Sequence, residues 1–412
     1  MWRGTLNTVS RALALIEEGA LDDGSVDDLA ERLGVGERQL RRLFRTHVGA
    51  SPVSVAQTRR VLLAKQLIHE SRLSMTEVAF ASGFSSVRRF NETFQGLFKR
   101  PPTALRRDGM RRTPVAQDDL TVLLRYRPPY DWPTVVDFLR ARAISGIETV
   151  TSKRYARTFD VDGSQGIVVV EPTNTNALRV SVRFAKVSSL PRVIARVRRL
   201  FDLAADPEAI STHLASDPAL EPLVASRPGL RVPGGWDAFE VATRAILGQQ
   251  ITLQGARRLL ENLVAEYGAA LAPDLRSEGL THVFPRADVL AQADLSHLRV
   301  PQIRAAALSS LAASLVSDPQ FLTAGPDLAS FVRRLRTSRG IGEWTAQYIA
   351  MRELRETDAF PPGDTGLRRT MGNLEGRDLS SNELLERAER WRPWRAYAAQ
   401  HLWASRLPAK AC

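Results

Sequence analysis

The sequence predicts a multidomain, mainly helical protein in which an all-α region is followed by an α+β region and a second all-α region. Three observations support this prediction: 412 residues suffice for two or three hydrophobic cores, strand-like alternation is confined to residues 120–183, and two breaks divide the chain. The first break, 108–119, is polar and aperiodic like a linker, and the second, 203–235, contains five prolines. We therefore expect domains at residues 1–112, 118–202 and 203–412.

Charge and composition narrow the class of protein. The net charge is +12, and residues 1–112 hold 19 basic against 12 acidic side chains, which favours a polyanionic partner such as DNA because neutralised phosphates release counterions. A general preference for arginine is the alternative explanation of the total. No apolar run could span a membrane and no signal core follows Met1, so a cytoplasmic protein is expected. The only cysteine is Cys412, which excludes an internal disulfide and cysteine-ligated zinc or iron–sulfur sites.

The first region contains a helix-turn-helix pattern. Residues 25–33 place apolar side chains on one helical face behind Ser25, a typical N-cap, and Gly34 then permits a tight turn. Residues 37–46 follow as a second short helix whose outward side chains are basic or polar. A single arginine is most often a solvated surface residue, but this arrangement is typical of a helix that reads DNA. Its candidate DNA-contact residues are Arg38, Gln39 and Arg42.

The same pattern returns at residues 74–98, after a long helix over 53–70. Its second helix has phenylalanines at 90, 94 and 98 on one face and is followed by Lys-Arg-Pro-Pro at 99–102. Residues 8–107 thus resemble the AraC-type DNA-binding domain. The resemblance implies that both second helices enter successive major grooves, where arginine reaches guanine edges or phosphates. The candidate contacts in this unit are Ser86, Arg88 and Arg89.

The strongest local motif is Ser-Arg-Gly-Ile-Gly-Glu-Trp-Thr-Ala at residues 338–346. Glycines on both sides of Ile341 permit a tight turn between two helical segments, and the backbone amides at the next helix start can bind a phosphate. Asp364 follows Trp344 by 20 residues, behind Phe-Pro-Pro-Gly. Asp364 alone is an ordinary helix N-cap. Together, the two segments resemble the hairpin and catalytic aspartate of the helix-hairpin-helix DNA glycosylase superfamily.

Further segments resemble the AlkA branch of that superfamily. These are Trp-Asp-Ala-Phe-Glu at 236–240, Ala-Ile-Leu-Gly-Gln-Gln-Ile-Thr at 245–252, Trp-Arg-Pro-Trp-Arg-Ala-Tyr at 391–397, and the strand-rich region 118–200. The resemblance covers about residues 118–408. It implies an AlkA N-terminal α+β domain followed by an all-α helix-hairpin-helix glycosylase domain. The site residues that it implies are Asp364 for catalysis, Trp344, Tyr348 and Trp403 for the base pocket, and Gly340, Gly342, Arg339, Thr345 and Gln250 for DNA binding.

The resemblance implies a DNA-3-methyladenine glycosylase that flips an alkylated purine out of duplex DNA. Such a base is cationic and leaves readily, so the pocket needs electron-rich rings, and Asp364 stabilises the sugar cation and orients water. Core packing is the commoner role of aromatic side chains, and only their match to the family favours the pocket. Trp344 stands where backbone-cleaving members carry the lysine that forms a Schiff base, so the enzyme is expected to be monofunctional.

Two positions depart from the family pattern. Gln250 occupies the wedge position, where a leucine is expected, with Ile251 beside it, and Arg339 replaces a frequent proline. No cofactor is expected to be required. Relatives bind a monovalent cation through hairpin carbonyls, which implies a Na⁺ or K⁺ ion near Ser338 and Ile341 and no metal held by side chains.

The chain resembles Ada–AlkA fusion proteins without their cysteine-rich zinc domain. Because no cysteine precedes Cys412, methyl-acceptor activity is not expected of this chain. The main hypothesis is a glycosylase acting on duplex DNA with alkylated bases, with promoter DNA as a second partner of the N-terminal domain and no membrane partner. The alternatives are an adaptive-response transcription regulator with a degenerate glycosylase domain and, against Trp344, a glycosylase/lyase for oxidised bases.

Overall fold

The predicted order of all-α, α+β and all-α regions is confirmed by a computed structural model of the chain. The structure describes residues 2–22, 24–71, 73–108, 119–184, 186–277, 279–298 and 300–405. Most of the predicted linker (109–118) and Cys412 lie outside the described residues. None of the helices in these ranges is long and apolar enough to cross a membrane.

The N-terminal region forms two helix-turn-helix units joined by a long helix, as the sequence predicts. Its described helices are α1 (Trp2–Glu17), α2 (Val26–Arg32), α3 (Glu37–His47), α4 (Pro52–Glu70), α5 (Met75–Ala81), α6 (Val87–Phe98) and α7 (Pro102–Asp108). Ser25 and Ser74 close capping boxes at the starts of α2 and α5, where each hydroxyl accepts from a first-turn amide. Phe90 and Phe94 are buried on the inner face of α6, while Phe98 is half-buried.

The middle region is an antiparallel sheet with helices packed against it. In chain order it contains β1 (Leu120–Arg125), α8 (Trp132–Arg142), β2 (Glu148–Val150), β3 (Tyr155–Val161), β4 (Ser164–Pro172), β5 (Ala177–Phe184) and α9 (Leu190–Leu200). The described strands are ordered β1-β5-β4-β3-β2. Four of them match the strand-like stretches of the sequence, at residues 120–126, 155–161, 166–172 and 177–183, to within two residues at each end. The sequence did not predict β2, because three residues are too few to show a period-two pattern.

The last region is mainly helical. Its described helices are α10 (Pro207–Leu214), α11 (Glu221–Ser226), α12 (Ala238–Leu247), α13 (Leu253–Tyr267), α14 (Ala287–Gln292), α15 (Gln302–Ser317), α16 (Leu328–Arg336), α17 (Glu343–Arg352), α18 (Thr365–Glu375), α19 (Ser381–Ala388) and α20 (Arg395–Ala404). The prediction of an all-α region did not include the extended segment between α13 and α14, which makes isolated β-bridges. Leu271 and Leu280 there bury against Ala156 and Ile167 of the sheet, a tertiary contact that local periodicity does not reveal.

The N-terminal domain is packed against the rest of the protein through both helix-turn-helix units. The second unit shares one continuous hydrophobic core with the sheet region, and the Gln66 amide donates to the carbonyl of Leu123 on edge strand β1 at 2.8 Å. The first unit contacts the last region at Gly34, which has φ +67° and whose Cβ, if present, would lie 2.4 Å from a ring carbon of Pro326. Both units are therefore part of one packed body with the α+β and C-terminal regions.

A buried carboxylate where the N-terminal domain meets the rest of the protein makes the free energy of unfolding depend on pH. Arg199 pairs with Glu353, which directly follows α17, at 2.8 Å and with Glu18, which follows α1, at 2.7 Å. Burial raises the pKa of Glu353 to about 7 from its usual 4.5, although Arg199 opposes the rise. The folded protein therefore holds a proton there that the unfolded chain releases, and the free energy of unfolding loses this contribution as pH rises from about 4.5 to about 7.

We expect Glu353→Gln to abolish this loss, because the glutamine stays neutral at every pH. The stability of Glu353→Gln relative to the wild type should therefore increase between pH 5 and pH 7.5, as measured by urea denaturation. Glu221→Gln, which changes an exposed glutamate on α11, is the matched control and should run parallel to the wild type. A parallel curve for Glu353→Gln as well would contradict the prediction.

Candidate active site

The glycine-rich turn is a hairpin between α16 and α17. Gly340 has φ +83°, and a Cβ there would lie 2.6 Å from the Cβ of Ala307, so both backbone conformation and packing require glycine. Gly342 precedes α17 without a side-chain cap, which leaves first-turn amides of that helix for an external acceptor. Arg339 is exposed beside the turn, whereas Ser338 and Ile341 are buried. The hairpin can therefore bind a phosphate through its backbone.

Asp364 is the N-cap of α18 and is also the meeting point of two tryptophans. One carboxylate oxygen accepts from the amide of Leu367 at 2.9 Å and from the indole N–H of Trp403 at 3.1 Å. The other oxygen accepts from the indole N–H of Trp344 at 2.9 Å. These donors come from α17, α18 and α20 and fix the half-buried carboxylate in one orientation. The capping role and a role in the site are therefore compatible.

The residues that the sequence proposed for a pocket do line one cavity. Asp364, Trp344, Tyr348 and Trp403 surround a space of about 780 Å³ between the sheet region and the C-terminal region. The rings of Trp344 and Tyr348 stack with centroids 5.2 Å apart and an interplanar angle of 8°. Residues of α8 in the sheet region, including Phe138, also line this space. A cavity of this size with aromatic walls can hold a planar base.

Two arginines that line the cavity, Arg142 and Arg352, were missed by sequence reasoning. Arg352 is buried, donates to the carbonyl of Pro233 at 2.8 Å, and has its guanidinium carbon 4.5 Å from the Phe138 ring centre and 5.5 Å from that of Trp403. Arg142 contacts the same Phe138 ring, with its guanidinium carbon 3.7 Å from the ring centre. Both stand at the last position of a helix, where a solvated arginine is the ordinary expectation, so no local signal identified them.

A buried ionic network forms another part of the cavity lining. Arg157 of β3 pairs with Glu240 of α12 at 2.7 Å, and Arg244 of α12 pairs with Glu148 of β2 at 2.7 Å and with Glu240 at 2.8 Å. Although burial acts in the other direction, Arg157 and Arg244 hold the pKa of Glu240 well below its usual range. The spacing of Glu240 and Arg244 on one helix was a usable signal, but their partners lie 80 to 100 residues away.

The remaining predicted DNA contacts of the C-terminal region differ in their exposure. Gln250 is exposed with φ +52° at the turn between α12 and α13, and Ile251 beside it lines the cavity mouth with 38% of its surface exposed. Thr345 is buried, and its hydroxyl accepts from Gln249, whose amide also donates to the carbonyl of Gly340. The Thr345 side chain thus faces inward and ties the turn at Gln250 to the hairpin.

The helix-turn-helix residues face outward in both units. Ser86 is half-buried, and its hydroxyl caps α6 by accepting from the amide of Arg89 at 3.2 Å. The five other predicted contact residues in these units are exposed: Arg38, Gln39, Arg42, Arg88 and Arg89.

Comparison with known proteins finds a family match for each of the three regions of the chain. Residues 29–108 match a helix-turn-helix domain, 121–237 the AlkA N-terminal domain, and 243–396 the HhH-GPD superfamily of base excision DNA repair proteins. The chain is 40% identical over 407 residues to the probable bifunctional transcriptional activator/DNA repair enzyme AlkA of Mycobacterium tuberculosis (strain H37Rv), covering 98% of this chain and 81% of that protein. The chain belongs to the AlkA family.

A second relative and a solved structure each match about two thirds of the chain. DNA-3-methyladenine glycosylase 2 of Escherichia coli K12 is 36% identical over 286 residues, which cover 68% of this chain and 95% of that protein. The solved 3-methyladenine DNA-glycosylase from Archaeoglobus fulgidus shares the fold with a TM-score of 0.59, at 21% identity, covering 69% of this chain and 97% of that structure.

Arg352 and Arg142 also lower the pKa of Tyr348. Burial by itself raises the pKa of the phenol, but Arg352 and Arg142 approach the phenol oxygen and together hold the pKa below its usual value of 10. We expect Arg352→Met to raise the pKa of Tyr348. The measurement is the phenolate absorbance of each protein during alkaline titration, after subtraction of the same protein carrying Tyr348→Phe. An unchanged midpoint in Arg352→Met would show that the guanidinium does not act on the phenol.

Proposed function

We propose that this protein is a monofunctional DNA-3-methyladenine glycosylase that hydrolyses the N-glycosidic bond of alkylated purines in duplex DNA. The observation that carries the proposal is the Asp364 carboxylate, held by two indole N–H groups at the wall of an aromatic cavity. Family membership and the glycosylase names of the relatives support it. We also propose that the protein acts in the cytoplasm, on chromosomal DNA.

The proposed mechanism begins with the damaged nucleotide leaving the base stack and entering the cavity. A purine alkylated at N3 carries a positive charge, which the faces of Trp344, Tyr348 and Trp403 can stabilise. The glycosidic bond then breaks, its electron pair leaves with the base, and the departing base becomes neutral. The sugar acquires oxocarbenium character that the Asp364 carboxylate stabilises, and water adds to C1′ while Asp364 orients it and takes up its proton.

The chemistry of the cavity favours water as the nucleophile. Strand cleavage by a glycosylase/lyase requires an amine that forms a Schiff base with the sugar. None of the described residues that line the cavity is a lysine, and Trp344 donates to Asp364 from the position that a lysine would need. The product of this proposed reaction is therefore an intact strand with an abasic site.

The proposed DNA contacts surround the cavity. The uncapped start of α17 binds a phosphate of the damaged strand, with Arg339 beside it. Ile251, which lines the cavity, and the exposed Gln250 beside it fill the gap that the flipped nucleotide leaves. The left-handed backbone at Gln250 presents this residue at the tip of its turn. Gln249 holds the tip of this turn next to the hairpin, because its amide donates two hydrogen bonds to hairpin residues.

We further propose that the hairpin binds a Na⁺ or K⁺ ion through the carbonyl oxygens of Ser338 and Ile341. The Ser338 carbonyl accepts one hydrogen bond, from the amide of Ile341 at 3.2 Å, and retains a second lone pair for an ion. In the described ranges no group of three or more acidic, histidine or cysteine side chains could hold a metal ion, and the proposed site uses backbone oxygens instead. The ion would add positive charge where a phosphate binds.

The AraC-type domain is proposed to bind DNA, including promoter sequences. Its two second helices expose arginines that can reach guanine edges and phosphates. One relative is named as a bifunctional transcriptional activator and DNA repair enzyme, which supports regulation as a second function. The aromatic and acidic residues expected for catalysis all line the cavity. A regulator with a degenerate glycosylase domain is therefore the less favoured hypothesis.

Substitution of the carboxylate tests the proposed enzyme. We expect Asp364→Asn to reduce release of 3-methyladenine from methylated duplex DNA by about a hundredfold or more, because the amide cannot stabilise a developing cation. Asp378→Asn, at an exposed position beyond α18, is the matched control and should retain full activity. The measurement is base release in single turnover with enzyme in excess, analysed by chromatography.

Each other result has a distinct meaning. No release by the wild type would overturn the glycosylase proposal, whereas wild-type rates in Asp364→Asn would overturn the assigned mechanism. Strand breaks that form without heat or alkali would indicate lyase chemistry in place of hydrolysis.

The N-terminal domain is tested through the salt dependence of DNA binding. We expect Arg42→Ala to weaken binding of duplex DNA and to lower the slope of log K against log salt concentration by about one, because one phosphate contact is lost. Arg179→Ala, at an exposed position on β5, is the control and should leave the slope unchanged. Equal slopes for Arg42→Ala and the wild type would indicate that this face of α3 does not contact DNA.

A further inference from the structure

The first helix of the DNA-binding domain reaches the segment that carries Asp364. Arg11 lies on α1, is only 6% exposed, and forms an ion pair through Nε with the equally buried Glu356. Its Nη1 donates to the carbonyl of Gly325 at 2.9 Å. Glu356 lies between α17, which supplies Trp344 and Tyr348 to the cavity, and Asp364. An arginine of one domain is thus buried against the loop that precedes the catalytic carboxylate of another.

The loop from 353 to 364 is a chain of tight contacts. The amide of Glu356 donates to the carbonyl of Ala350 on α17, and the carbonyl of Glu356 accepts from the amide of Ala359. The amide of Phe360 donates to the side chain of Gln347 on α17 at 3.2 Å, and Pro361 then accepts from the amide of Asp364. A displacement of Glu356 would therefore be passed to α17 and to Asp364 together.

The two halves of this loop have different anchors. The second half is held by the C-terminal region itself, where Arg395 of α20 pairs with Asp358 at 2.8 Å. The first half has its charged anchors in other domains: Arg11 pairs with Glu356, and Arg199 joins Glu353 to Glu18. Two acidic residues that follow α17 thus meet the DNA-binding domain, one directly and one through a shared arginine. Scattered surface contacts between two tethered domains would not bury charges in this way.

We propose that Arg11 of the DNA-binding domain is a positioning residue for base excision, acting through Glu356 on the loop that places Asp364. This inference rests on the proposed glycosylase function and deepens it, because it makes the AraC-type domain part of the catalytic unit. Arg11 touches neither the base nor the sugar. Its guanidinium neutralises a buried carboxylate, and without that partner Glu356 must move toward water or take up a proton. Either change displaces the loop.

The test uses the full-length protein with Arg11→Met and Glu356→Gln, alone and together. We expect each single variant to lower the single-turnover rate of 3-methyladenine release about tenfold, because small displacements of a catalytic group cost at least that much, with affinity for the same duplex changed less than about threefold. The double variant should be no slower than the slower single variant, because both remove one interaction. Arg11→Lys, which keeps the charge, should recover part of the rate.

Arg60→Met is the matched control. Arg60 of α4 pairs with Asp22 inside the DNA-binding domain at 2.9 Å and is partly buried. Its loss perturbs the same domain without touching the 353–364 loop, so the excision rate should remain at the wild-type value.

Hydrogen exchange supplies a readout that does not require activity. Amides of the 353–364 loop should exchange faster in Arg11→Met and Glu356→Gln than in the wild type and in Arg60→Met. Wild-type exchange of this loop in folded Arg11→Met, or an equal loss of rate in Arg60→Met, would overturn the positioning role. If the wild type released no alkylated base, the glycosylase proposal would fail, while faster loop exchange would still support the mechanical link between Arg11 and the loop.

Discussion

The organisation of this protein depends on one half-buried carboxylate whose position is fixed by three hydrogen bonds. Asp364 accepts from two indoles and one amide, so α17, α18 and α20 must meet at a fixed point. A carboxylate withdrawn from water is costly unless its oxygens are satisfied, and these donors satisfy them without a neutralising cation. The charge therefore remains available to a cationic transition state, and the donors that fix it also form the aromatic wall of the cavity.

Buried arginines connect this centre to the rest of the chain. The network of Arg157, Glu240 and Arg244 joins the sheet to α12, and Arg11 and Arg199 join the DNA-binding domain to residues just after α17. Buried ion pairs add little net stability, because desolvation offsets most of their attraction. Their effect is on geometry: a misaligned domain would leave charges unpaired in the interior. The protein thus gains one defined arrangement of three domains around a cavity that lies between two of them.

Much of the fold could be predicted from particular residues. Ser25 predicted a helix start, and alternation predicted four strands, because these signals are local. The three-residue strand β2 and the extended segment before α14 were not predicted, since each depends on burial against distant parts of the chain. In the site, the motifs identified Asp364 and three aromatic residues that do surround one cavity. They did not identify Arg142 or Arg352, whose burial has no local sequence signal.

The sequence by itself determined the order of the domains, the helix-turn-helix units, the hairpin and the family, because caps, turns and motifs are encoded within a few residues of one another. Only the tertiary structure decided which side chains share the cavity, that Thr345 faces inward, and that Arg11 pairs with Glu356, 345 residues away. The physical reason is that periodicity specifies which face of an element is buried but not what it is buried against. Asp364 illustrates both: its N-cap position is local, and its indole partners are supplied by the fold.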